Sequence, residues 1–91
     1  MAVVYLTLKI MPDSPEADLT SIEKECRSKI ESYGARVHSV QKVPIAFGLV
    51  ALEIIIMADE KKGSTEDLEA ELSKISGVES VQVTDVRRGI G

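Results

Sequence analysis

Aromatic side chains are scarce: two tyrosines, one phenylalanine and no tryptophan make up 3% of the chain. Cysteine and histidine are scarcer still, with one of each. Cys26 cannot close an intramolecular disulfide, and the absence of a CxxC pair removes the metal-carrier versions of small α+β domains. His38 reads as a solvated or capping side chain on a strand, because no cysteine or second histidine stands by to make a catalytic or metal pair. The six glycines are scattered, so no glycine-rich phosphate loop is present. Basic excess is lacking too. Eleven Lys and Arg against 15 Asp and Glu give a net charge of -4, which provides no electrostatic footprint for a polyanion. RNA recognition on a small open sheet uses aromatics on the central strands, where this reading places Leu8, Ile54 and Ile56. No direct nucleic-acid contact is expected, and a basic protein surface is an easier partner. The most apolar stretch, Val43 to Ala58, is interrupted by Pro44, Gly48 and Glu53 and falls short of the roughly 20 residues that cross a bilayer. It predicts a buried strand and no membrane partner. With no secretory leader pattern at the start, the expected compartment is the cytoplasm.

What is there suffices for one core. Of 91 residues 44% are hydrophobic and 29% charged, too apolar and too mixed in sign for disorder. A chain of this length buries roughly 60 to 65% of its unfolded surface, which predicts a single domain spanning 1–91 without linkers. Ala2 to Met11 alternates, Val4, Leu6, Leu8 and Ile10 opposite Val3, Tyr5, Thr7 and Lys9, as a half-buried strand does. Met11-Pro12-Asp13-Ser14-Pro15 then breaks the pattern. Either Asp18 or Ser14 followed by Pro15 caps the helix that follows. Leu19, Ile22, Cys26, Ile30 and Tyr33 recur at offsets of three and four as its buried stripe, with Glu23 to Arg27 and Glu25 to Lys29 as exposed pairs. Gly34 ends it.

Arg36 to Val43 predicts an irregular or edge strand with Val37 and Val43 on one face and Val40 on the other. Leu49 to Ala58, carrying Ile54-Ile55-Ile56, predicts a central strand. A polar turn through Gly63 leads to Ser64, the expected cap of a second helix with Glu66 and Asp67 at its positive end and Leu68, Leu72 and Ile75 buried. After Gly77, Val78 to Val86 predicts a last strand with Val81 and Val83 inward. Val37-His38-Ser39-Val40-Gln41 after the first helix matches Val78-Glu79-Ser80-Val81-Gln82 after the second at four of five positions. The resulting β-α-β-β-α-β order is that of a ferredoxin-like α+β sandwich, a four-stranded antiparallel sheet with two helices on one face. The other face is left bare.

Two segments exceed what a core needs. Val43-Pro44-Ile45-Ala46-Phe47-Gly48 is apolar where hairpin connections are usually polar. Phe47 either folds back over the sheet edge or is presented to another molecule. Thr84-Asp85-Val86-Arg87-Arg88 puts two arginines just past the predicted last strand, either as a solvated end salt-bridged to Asp85 or as a binding group.

At these segments the chain resembles a known family. Met11 to Pro15, Pro44 to Leu49, and Val83 to Arg88 are similar to the signature segments of archaeal elongation factor 1-beta, in the same order and spacing, within a resemblance running from about Val3 to Arg88. The resemblance implies a guanine-nucleotide exchange factor that acts on the GTPase elongation factor 1-alpha during translation elongation. It implies no chemistry of its own, no cofactor and no metal. The implied partner-binding residues are Pro44, Ile45, Phe47, Gly48, Asp85, Arg87 and Arg88, with Phe47 as apolar anchor. Eukaryotic relatives continue to a lysine that intrudes toward the magnesium site; its place falls at about Gly91, where this chain has none. Either Arg87 and Arg88 supply the cation, or the factor works by moving switch segments alone. The alternative from another class is a ligand-binding regulatory domain of the same fold, which would want a glycine-rich turn after the first strand where this chain has prolines.

Overall fold

The computed structural model describes residues 2–59 and 66–90. Its elements are β1 (Ala2–Pro12), α1 (Leu19–Tyr33), β2 (Arg36–Pro44), β3 (Val50–Asp59), α2 (Glu66–Ser73) and β4 (Val78–Ile90), the predicted order. The sheet runs β2-β3-β1-β4 with every neighbouring pair antiparallel, so β1 and β3 are central. This is the ferredoxin-like α+β arrangement.

The alternation in β1 decides which face is covered. Leu6, Leu8 and Ile10 are buried, and across the ladder they meet Ile56, Ile54 and Leu52 of β3, which are buried with them. Ile22, Cys26 and Ile30 of α1, Leu68 and Leu72 of α2, and Ile75 just beyond α2 close over these strands to complete one core. Asp18, not Ser14, caps α1: its carboxylate accepts from the Thr20 and Ser21 amides at 3.1 and 3.2 Å and from the Ser21 hydroxyl at 2.9 Å. Gly34 closes the helix with φ 104°, a left-handed conformation that glycine adopts at no steric cost. Glu23 and Arg27 pair at 3.1 Å as expected, but Lys29 reaches Glu71 of α2 at 3.5 Å instead of Glu25. The predicted cap Ser64 and the turn through Gly63 lie outside the described residues.

The short repeat has a structural meaning that alternation alone missed. Two valines three residues apart cannot both face the core of a regular strand, whose side chains alternate with period two. In β2 the pairing steps from Val37 to Ser39 and skips His38; in β4 it steps from Val78 to Ser80 and skips Glu79. Each copy therefore holds a bulge at its second position. Val37 and Val40, like Val78 and Val81, pack on the core. The expected grouping of Val37 with Val43 is thus reversed: the bulge turns Val37 inward with Val40, and Val43 sits opposite Ala51 on the other face. β4 also runs four residues past the predicted end, to Ile90.

Candidate partner-binding surface

The β2–β3 connection is a tight hairpin. The Ile45 amide donates to the Leu49 carbonyl at 2.8 Å, and the Leu49 amide to the Ala46 carbonyl at 3.2 Å, leaving Phe47 and Gly48 as the two central turn residues. Both have positive φ, 60° and 75°. Turns of this hand match the twist of antiparallel strands and favour Asn-Gly or Gly-Gly. Gly48 fits its place, whereas a side-chain-bearing residue such as Phe47 in the left-handed region costs about 1–2 kcal/mol. Nothing in the fold offsets that, because Phe47 is 93% exposed. The fold-back alternative for its ring is therefore excluded. Pro44 and Ile45 are exposed beside it, and Pro15 of the β1–α1 connection lies against Gly48. Four of the predicted partner-binding residues share this tip.

The other three lie elsewhere. Arg87 and Arg88 are not beyond the last strand but within it, paired with Tyr5 and Val4 of β1. Strand alternation sends them to opposite faces. Arg87 stands on the open face with Asp85, and its Nε donates to Asp85 Oδ2 at 2.8 Å, so the predicted ion pair forms. Arg88 stands on the helix side with Val86, which is 59% exposed on this edge strand. Tyr5, opposite Arg87, is also opposite Met57. Val50 to Met57 is seven residue steps along β3, about 23 Å at the strand rise. The structure thus splits the predicted set between the two ends of a molecule 41 Å long.

The face between those ends is different from the one foreseen. Leu8, Ile54 and Ile56 are fully buried under the helices, so they are not the exposed central-strand positions at all. Those positions hold Tyr5, Thr7 and Lys9 of β1 and Glu53, Ile55 and Met57 of β3, all partly exposed. Tyr5 and His38 meet edge to face with ring centroids 5.6 Å apart. From sequence His38 reads as a solvated or capping side chain and Tyr5 falls on the face opposite Leu6, but nothing there brings the two rings together. Among the described residues no three His, Cys, Asp or Glu gather as metal ligands. Burial, reinforced by Glu25 and Glu23, pushes the Cys26 thiol up to about 12 and leaves it inert. A groove of about 400 Å³ between α1 and α2, lined by Lys29, Tyr33, Leu68 and Glu71 among others, includes none of the predicted partner-binding residues. No helix among the described residues is long and apolar enough to cross a membrane.

Comparison with known proteins gives the family. The family described as EF-1 guanine nucleotide exchange domain matches residues 5–88. Elongation factor 1-beta of Methanothermobacter thermautotrophicus is 44% identical over 88 residues, covering 97% of this chain and 98% of that one. Its counterpart from Methanobrevibacter smithii is 41% identical over the same coverage. Among solved structures, the C-terminal domain of the MgtC protein from Mycobacterium tuberculosis superposes with a TM-score of 0.63 at 20% identity, over 96% of this chain and 87% of that one, which is a likeness of fold. With the exchange-domain match spanning β1 to β4 and the identity extending over nearly the whole chain, this protein belongs to the elongation factor 1-beta family.

Proposed function

We propose that this chain, acting as a single unit over 1–91 in the cytoplasm, speeds the replacement of GDP by GTP on elongation factor 1-alpha by binding the nucleotide-free GTPase in preference to the occupied one. Such a factor needs no catalytic dyad and no bound cofactor. Its effect is a coupling free energy: the factor weakens nucleotide binding by the same ratio that nucleotide weakens its own. The observation that carries the reading is Phe47, an aromatic ring almost wholly exposed on a strained turn. The strain opposes folding and the exposed ring buries almost nothing to offset it, and a partner surface that covers the ring gives both a purpose. Buried aromatic anchors dominate many interfaces, at about 2 kcal/mol or more on truncation.

Arg87 is proposed as the cationic group at the opposite end, with Arg88 beside it on the other face. The place of the eukaryotic lysine, near Gly91, lies outside the described residues. Arg87 already has a carboxylate partner in Asp85 and can exchange it for one freed on the GTPase, a planar bidentate pairing that lysine does not make. Contacts near both ends would let one rigid sheet engage two separated regions of its partner. The test is GDP release. With elongation factor 1-alpha carrying fluorescent GDP and excess GTP in solution, the protein should accelerate the signal loss in a saturable way, and Phe47→Ala should do so with at least about tenfold weaker half-saturation while keeping the parent fold. An off-rate unchanged across a saturating range of the parent protein refutes the reading.

A further inference from the structure

The last stretch of β4, an edge strand, has little cover. Val86 on the helix side is 59% exposed. The ladder to β1 shifts register between Thr7 and Leu8, so Asp85 to Ile90 forms a separate run of pairs beyond the bulge, joined to Ala2 through Thr7. Gly89, within that run, has no side chain to pack, which weakens a strand. On the open face one feature compensates. A Cβ built on Gly89 would overlap Cε2 of Tyr5 and come within 3.0 Å of Cδ2 and 3.2 Å of Val3 Cγ2. The tyrosine ring therefore lies directly over the Gly89 backbone. The ring also meets His38 of β2 at an interplanar angle of 78°. One ring thus ties the end of β4 to the opposite edge strand. Aromatic cover of a strand glycine is a known way of fixing register where a sheet lacks other packing.

We infer that Tyr5 is a positioning residue for nucleotide exchange: its ring, seated on Gly89 and braced by His38, holds the 85–90 segment of β4 in register and so fixes the Asp85–Arg87 pair for the GTPase. This rests on the exchange reading above, but its physical core can be tested without it. The ring is what matters, so Tyr5→Phe should behave as the parent, whereas Tyr5→Ala and Tyr5→Leu should release the segment. The expected results for both are faster amide hydrogen exchange at 86–90 with β3 amides unchanged, and a half-saturating concentration for GDP release raised about fivefold or more, the lower range of coupling between separated groups. Gly89→Ala should do the same by displacing the ring. Once Tyr5 is alanine, Gly89→Ala should add little, since the atoms it would strike are mostly gone. Parent-like protection at 86–90 in Tyr5→Leu, or a Gly89→Ala effect as large in the Tyr5→Ala background as in the parent, overturns the inference. If the parent itself fails to release GDP, the exchange reading falls, and amide protection with the double-variant comparison still decides the clamp.

Discussion

At the scale of single residues, Phe47 shows how a functional position can break a local rule. A two-residue hairpin with positive φ at both centres favours Asn-Gly, and the chain supplies the glycine at Gly48 but an aromatic before it. Asparagine tolerates the left-handed region better than most residues and would remove most of the strain. Phe47→Asn is therefore expected to stabilise the protein by about 1 kcal/mol, a rise in Tm of about 4–8 °C for a domain of this size. The same variant should lose GDP-release activity as Phe47→Ala does. Thermal unfolding beside the release assay checks both, and a variant less stable than the parent would show that the ring contributes to the fold after all. Cys26 illustrates the converse: it fits its surroundings, completely buried in the helical stripe with its thiol driven up to about 12, and it carries no chemistry.

At the scale of elements, the alternation of β1, the offsets of α1 and the β-branched run of β3 are strong periodic signals, and the structure follows them to within a residue or two. What periodicity did not reveal was any departure from it. The bulges at His38 and Glu79 add a residue to a strand without changing its composition, so Val37 read as facing away from Val40. The repeated Val-x-Ser-Val segment did contain the answer, since valines at that spacing demand a bulge if both are to be buried. The end of β4 past Val86 was missed because Gly89 has low strand propensity and the two arginines before it read as a solvated end, while their pairing to β1 is set by tertiary contact. Cap chemistry was more legible. Asp18 was one of two candidates, and its bonds to Ser21 first, then to Thr20, hold its carboxyl below the ordinary aspartate range. A pKa lowered on folding stabilises above the unfolded value, about 3.9, and that contribution is lost as pH falls through the folded value. Asp18→Asn keeps a capping oxygen but not the titration. Its unfolding midpoint should therefore lose less than the parent's when pH is lowered from about 6 to 3; equal losses would mean that the cap does not contribute to acid sensitivity.

At the scale of the whole molecule, the sheet is a ruler. Its order puts the Phe47 tip beyond the start of β3 and Arg87 in register with Met57 near the end of that strand, with a continuous, well-packed core between them. Groups about 20 Å apart that share no side-chain partner act independently unless the element joining them has two arrangements. Among the described residues the four strands and two helices close over one core as a single packed body. The binding losses caused by Phe47→Ala and Arg87→Ala should therefore add within about 0.5 kcal/mol in the double variant, measured as half-saturation for GDP release. This separates two ways for the factor to work. Additivity is expected of a rigid platform whose ends each grip the GTPase. Strong coupling would mean that one contact must form before the other can, and a bending sheet or a partner that closes in steps would take the place of the ruler. Tyr5 and Gly89 supply the internal contrast, because they touch and must couple. A protein in which the distant pair couples as strongly as the touching pair would not be using its sheet as a rigid frame.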